Sequence, residues 1–384
     1  MRFPEFSGEW KKCKLGDLCN VLMCKRILVS QTNTEDGVPF YKIGTIGSTP
    51  DAYISKELFD DYKVKYNYPR KGEVMITCAG TVGKCVVYDG EDAYFQDSNI
   101  VWIDNPTQYI SNGFLFHLLS KVDWRKLNST TIIRIYNDDL RNLKMSYPRK
   151  EEQQKISHLL SLLDERIATQ NKIIEDLKKL KSAIIEKTFN ENYSNKIRLR
   201  DVGSYIRGLT YSSDDVVESN GIFVMRSNNI INGSSLDYHN NIVSVNKQIL
   251  TEQQLQTGDI VICMANGSSS LVGKSSFYDG DCSTPITVGA FCGIYRSKEP
   301  IVKWLFQTNK YRRYIWNSLQ GGNGAIANLN GDDILRMSFS IPATPAKDNR
   351  IKLLTSVDTL LESNISLCDL YISQKLYLLR QMFI

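Results

Sequence analysis

Histidine is the scarcest chemistry-bearing side chain here, with three in 384 residues, each isolated. Without paired imidazoles, a zinc site or a histidine-based acid–base centre has little to start from. The nine cysteines (13, 19, 24, 78, 85, 263, 282, 292 and 368) form no CxxC pair. Their odd number and irregular spacing fit reduced thiols in a cytoplasm, not a disulfide framework. No run of about 18 apolar residues occurs, so no membrane span is expected. The opening MRFPEFSGEWKKCK lacks the apolar core of a signal peptide. Charge is also nearly balanced: a net +5 permits a polyanionic partner without requiring one.

The sequence does have length of helix. Residues 148–189 contain no glycine and, after Pro148, no proline. Ile156, Leu160, Leu163, Ile167, Gln170, Ile174, Leu177, Lys181 and Ile184 recur at alternating spacings of three and four, a heptad seam with two polar interruptions. At about 1.5 Å per residue, roughly 40 residues make a rod of about 60 Å. A rod with one apolar stripe needs a partner. The tail supplies one, with a matching seam at Leu354, Val357, Leu361, Asn364, Cys368, Tyr371, Leu378 and Met382.

The two stretches are copies. Shifting the register by 194 residues lays Pro148 on Pro342, Asp164 on Asp358, Ile167 on Leu361 and Phe189 on Phe383. The repeat continues into the flanking segments. Leu15-Gly16-Asp17-Leu18 echoes Leu199-Arg200-Asp201-Val202, and Gly72-Glu73-Val74-Met75-Ile76 echoes Gly258-Asp259-Ile260-Val261-Ile262. Val82-Gly83-Lys84 then Tyr88-Asp89-Gly90 echoes Val272-Gly273-Lys274 then Tyr278-Asp279-Gly280. A repeat of this length fixes architecture before strand detail does. The expected fold class is α+β: two tandem mixed α/β globular domains, 1–147 and 191–342, joined by two long helices, 148–190 and 343–384, in an antiparallel coiled coil with pseudo-twofold symmetry. Apolar runs bounded by turns predict strands at 73–78, 85–87, 259–264 and 291–295, with short helices at 112–121 and 300–309. Strand order is not readable.

Catalytic motifs fail one by one. Gly273-Lys274-Ser275 resembles the end of a phosphate-binding loop, but position 268 is Ser where that loop needs Gly, and no helix-forming segment follows. Asp51 with Asp61-Tyr62-Lys63 loosely matches a nuclease metal site, and the second copy does not repeat it. Asp104-Asn105-Pro106-Thr107 lacks the second proline and the aromatic residue of an amino-methyltransferase motif. No metal-ligand or cofactor-binding set is expected in this chain, and the reading is non-catalytic.

The loops do carry residue types that read nucleic acid. The first half offers Lys42, Thr45, Thr77, Thr81, Lys84, Gln96, Ser98, Asn99 and Arg134; the second offers Arg226, Asn228, Asn229, Asn266, Ser268, Ser269, Lys274, Asn323 and Asn328. Asn and Gln bond an adenine edge and Arg or Lys a guanine edge, while small polar residues let phosphates approach. These stretches recur at equivalent places in the repeat with different side chains, as two heads reading different sequences on duplex DNA would. The alternatives are a stand-alone DNA-modifying or DNA-cleaving enzyme and a coiled-coil scaffold that binds only proteins.

Two stretches carry a family resemblance. Phe3-Pro4-Glu5-Phe6-Ser7-Gly8-Glu9-Trp10 with Leu15-Gly16-Asp17-Leu18, and 139–148 leading into Glu151-Glu152-Gln153-Gln154-Lys155-Ile156, resemble the specificity (S) subunit of bacterial type I restriction-modification systems. At the second helix start, Ala343-Thr344-Pro345-Ala346-Lys347 lacks the Glu-Gln pair. The resemblance implies two target recognition domains, each reading one half of a bipartite site in double-stranded DNA, with the helices setting the unread spacer. It implies two methyltransferase (M) subunits, which bind S-adenosylmethionine, and restriction (R) subunits, which use ATP and Mg2+. This chain itself would hold no cofactor.

Overall fold

The computed structural model describes residues 2–127, 134–189, 193–280, 282, 284–319 and 327–383. Contacts divide the chain into two compact units, Met1–Asn171 with Ser366–Ile384, and Lys172–Ile365. Each unit therefore includes part of both long helices.

In the first unit the core sheet has the order Asn20–Leu22, Ile100–Asp104, Val74–Thr77, Cys85–Val87, all antiparallel. Val74–Thr77 is buried at every position, as its unbroken, largely β-branched run predicts. A second sheet, Thr32–Asn33, Tyr53–Ile54, Val38–Tyr41 and Tyr94–Phe95, contains one parallel pair, between its last two strands. The helix Asn112–Lys121 starts at Ser111, whose hydroxyl caps the Phe114 amide, and lays Phe114, Leu115, Leu118 and Leu119 on the core.

The second unit repeats this plan. Its core sheet runs Gly203–Arg207, Cys292–Ser297, Ile260–Cys263, Ser275–Phe277, again antiparallel. Its smaller sheet also holds one parallel pair, Ile222–Met225 with Ile286–Val288. The turn glycines correspond too. Gly83 (φ +83°) and Gly273 (φ +81°) adopt the same left-handed conformation, which side chains resist. The predicted strands lie at Val74–Thr77, Cys85–Val87, Ile260–Cys263 and Cys292–Ser297. The helix expected at 300–309 is replaced by a short turn of helix, Val302–Leu305, and a longer helix, Asn309–Leu319. Thr308, which donates its hydroxyl to the Leu305 carbonyl and accepts from the Tyr311 amide, punctuates the two.

The long helices run Lys150–Phe189 and Ala346–Met382. Along the first, Ile156, Leu160, Leu163 and Ile174 are buried and Ile167, Leu177 and Ile184 half-buried; along the second, Leu354, Val357, Leu361 and Met382 are buried and Tyr371 and Leu378 half-buried. Within the first unit the helices run antiparallel: Asp164 pairs with Lys375, and seven residues on, Asn171 meets Cys368, seven residues back. Within the second unit Lys181 pairs with Asp358 at 2.6 Å. Under the 194-residue repeat, Asp164 corresponds to Asp358 and Lys181 to Lys375, so one ion pair occurs twice.

The start of the first long helix is tied into its unit by Gln153, which is fully buried. Its side-chain oxygen accepts from the Ser111 amide, and its nitrogen donates to the carbonyls of Tyr109 and Pro148. Its neighbour Glu152 is also buried and pairs with Arg2 at 2.6 Å. The Glu-Gln pair therefore has a mechanical task, stitching helix to domain, Gln153 through backbone groups and Glu152 through the Arg2 guanidinium.

His117 gives this packing a pH dependence. The imidazole is buried, its Nδ1 lies 4.0 Å from the Asp164 carboxylate without a hydrogen-bond partner, and Lys375 and Ser161 face the same space. Burial pushes its pKa down from 6.5 to about 4; Asp164 opposes the shift and Lys375 adds to it. As pH falls through that window the unfolded chain takes a proton that the folded chain refuses. Between pH 7 and 4.5 the wild type is expected to lose about 2–3 kcal/mol more stability than His117→Gln. Urea midpoints at the two pH values measure the difference, and parallel losses in both proteins would contradict it.

Candidate nucleic-acid interface

In the first unit the predicted residues converge at one end of the sheets, where Tyr41, Thr77, Phe95 and Ile100 mark strand termini. Lys42 begins a tight turn: its amide donates to the Thr45 hydroxyl, and the Thr45 and Ile46 amides donate to its carbonyl. Gln96 accepts from the Ile43 amide, linking that turn to the next loop. Lys84 reaches the same turn, its ammonium donating to the Ile46 carbonyl at 2.5 Å. Arg134 donates to the Ser98 carbonyl, and Ser98 sits at positive φ (46°). Thr77 is fully buried; its hydroxyl donates to Thr81 and accepts from the Lys84 amide, so it shapes the loop from beneath. Thr81 is exposed and Asn99 half-buried at the loop surface.

The second unit gathers its set at the corresponding strand ends. Arg226 opens a turn of the same construction, its amide donating to the Asn229 side chain. Asn229 is fully buried, and its amide nitrogen donates to the carbonyls of Asp237 and Asn240. With every polar group occupied, Asn229 orders the loops, leaving Arg226 and Asn228 exposed. Asn266 donates to the Ser227 hydroxyl and accepts from the Ser268 amide. Asn328 joins this surface through the short ladder that pairs it with Ala265. Ser268 and Ser269 are exposed and Lys274 is half-buried, while Asn323 lies outside the described residues.

Sequence reading missed three kinds of residue here. Phe291, 68% exposed, projects where Asn99 stands in the first unit: the Met264 amide donates to the Phe291 carbonyl as the Cys78 amide donates to Asn99. Arg312 and Trp316 project from Asn309–Leu319. The signal for that helix was Tyr311-Arg312-Arg313-Tyr314-Ile315-Trp316, where buried Tyr311 and Ile315 stand four apart among exposed cations.

Cys78 and Cys85 offer no nucleophile to this surface. Burial pushes Cys78 and Cys85 up to about 12, well above the range in which thiolate forms at neutral pH. Among the described residues no cluster of His, Cys, Asp and Glu could hold a metal ion. None of their helices is long and apolar enough to cross a membrane.

Residues 7–179 match the family model of the type I restriction modification DNA specificity domain. A type I restriction enzyme specificity subunit of Haemophilus influenzae is 49% identical over 167 residues, which cover 44% of this chain and 43% of the relative. The EcoKI specificity subunit of Escherichia coli is 34% identical over 173 residues, covering 42% and 34%. The matched stretches thus span less than half the length of these relatives. The whole-chain fold resembles the crystal structure of a type I restriction-modification S subunit from M. genitalium, with a TM-score of 0.62, 15% identity, and coverage of 98% and 96%. Residues 7–179 thus match a DNA specificity domain, and the described residues build a duplicated mixed α/β fold. Along residues 7–179 the chain is similar to type I restriction-modification specificity subunits, and over its length it shares the fold of one.

Proposed function

We propose that this chain is the DNA-recognition subunit of a type I restriction-modification system. Each unit reads one half of a bipartite site in double-stranded DNA, one with the loops around Lys42, Gln96 and Arg134, the other with those around Arg226, Asn266 and Asn328. The observation that carries this is chemical. Two sheets of identical strand order end in loop clusters built alike, Lys42 with Thr45 in one and Arg226 with Asn229 in the other, yet presenting different side chains. A shared scaffold with different readers fits two different half-sites.

In this reading the domains are 1–147 and 191–342, and the helices form an antiparallel coiled coil that spaces them. At about 100° per residue, inserting residues in the helices would rotate one reader about the duplex as well as displace it. Methyltransferase subunits carrying S-adenosylmethionine and restriction subunits using ATP and Mg2+ supply the chemistry in the cytoplasm, and this chain binds neither cofactor. The exposed Leu360, Leu370 and Leu376 of the tail helix fit contact with such subunits.

The test is methylation mapping in cells carrying this gene with its methyltransferase partner. A modified motif of two short specified blocks separated by an unspecified spacer is expected. An uninterrupted motif, or no modification dependent on this chain, would remove the reading.

A further inference from the structure

A groove in the second unit has a chemistry the loop residues alone do not explain. Its volume is about 330 Å3, at the small end of ligand cavities. The floor is apolar and buried: Val272, Phe306, Tyr311 and Ile315. The rim is polar and exposed, with Ser269, Ser270 and Asn232, and it carries Lys274 and Arg312. No carboxylate lines the groove, and among the described residues neither Lys274 nor Arg312 makes an ion pair. Trp316 closes one side with its indole 61% exposed, whereas Trp102, Trp124 and Trp304 are buried. An exposed indole beside two unneutralised cations leaves apolar surface in water and charge without a counterion. Both are relieved by one ligand, a flat apolar ring bearing a phosphate.

The rigidity of the site favours a real occupant. Tyr311 is anchored from below, its hydroxyl donating to the Gly273 carbonyl at 2.8 Å. Gly273 is held at φ +81°, and a side chain there would meet Ile315. The repeat sharpens the point. At the corresponding place in the first unit, Gly83 packs under the indole of Trp124, which is itself buried. The first unit fills this position with a buried indole; the second fills it with Ile315 and sets its indole one residue on, exposed at the edge of the groove.

We infer that the Lys274–Arg312–Trp316 groove holds one unpaired nucleotide of bound DNA, the base against the indole and the phosphate between the two cations. This rests on the DNA-binding reading above. A duplex backbone presents phosphate and sugar but no flat apolar face, so the apolar floor and indole select a base that has left the stack.

The experiment uses the full chain with a duplex, the same duplex carrying a single-nucleotide bulge, and a single strand of the same sequence. Wild type is expected to bind the bulged and single-stranded probes with quenching of tryptophan emission. Trp316→Ala should weaken those two by about 5- to 150-fold, the range for losing one aromatic–base stack, and weaken the unbulged duplex far less. Lys274→Ala and Arg312→Ala should each reduce the salt slope by about one. Arg313→Ala, an exposed cation on the same helix outside the groove, should change nothing. All four side chains reach the surface, so folding should survive and circular dichroism checks it. Equal loss on duplex and bulged probes in Trp316→Ala, or an Arg313→Ala effect as large as that of Arg312→Ala, overturns the inference while DNA recognition stands. Displacement of the bulged probe by millimolar mononucleotides also overturns it, assigning the groove to a free nucleotide. Absence of DNA binding by wild type on every probe sinks the DNA reading itself.

Discussion

Asp358→Ala is expected to destabilise the second unit by about 3–5 kcal/mol, the cost of leaving a buried charge without its partner. Asp358 accepts from Lys181 at 2.6 Å and from Lys303 at 2.7 Å, and both it and Lys181 are more than nine-tenths buried. Burial already pulls the Lys181 pKa down, with Asp358 the main force opposing it. Without the carboxylate, Lys181 keeps only the Gly233 carbonyl at 2.9 Å and the face of Trp304. The double substitution Lys181→Met with Asp358→Leu should recover most of the loss, because it removes the desolvated charge along with its partner. The counterpart Asp164→Ala should cost only about 1 kcal/mol, since Asp164 is 36% exposed and solvent takes over. Urea unfolding of the three variants measures all of this. A loss below about 1 kcal/mol for Asp358→Ala, or a double variant no better than the single, would show that this pair does not hold the helices.

On the proposed reading, exchanging residues 1–147 for the matching segment of a type I specificity subunit should transfer one half-site and leave the other intact. The structure makes such an exchange mechanically feasible. Gln153 grips the first domain through the Ser111 amide and the Tyr109 carbonyl, groups that every sequence possesses. The strand pair Lys11–Lys14 with Lys144–Tyr147 travels whole inside the exchanged segment. With roughly 1–3 kcal/mol at stake per base pair, a half-site of three changed pairs should weaken binding to the old target by about 3–9 kcal/mol. Competition between duplexes altered in one block at a time reads the outcome. If both blocks change preference, or neither does, the division of labour between the two units is wrong.

The parts legible in the sequence were those encoded locally or by repetition. Both long helices announce themselves by period, and the helix Asn112–Lys121 by its cap and apolar face. Strand order stayed hidden because Val74–Thr77 pairs with Ile100–Asp104 and Cys85–Val87 across loops whose lengths carry no pairing information. Among the candidate readers, Thr77 and Asn229 looked like base-reading groups, but their polar atoms are consumed by backbone partners from distant turns. Trp316 went unnoticed for the opposite reason: an aromatic residue in an amphipathic helix reads as core, and only the folded chain shows it outside.

The twice-used ion pair carries a genealogical implication. Asp164 and Lys181 stand 17 residues apart on one helix, and Asp358 and Lys375 stand 17 apart on the other. Each helix is therefore complementary to a reversed copy of itself. A polypeptide stopping after Phe189 would already own the acid and the base of both bridges, and two such molecules could clasp each other as the halves of this one do. The long chain is then what a self-pairing ancestor becomes once its gene is doubled and fused. Fusion frees the two copies to diverge, and their turns already differ, Lys42 with Thr45 in one and Arg226 with Asn229 in the other.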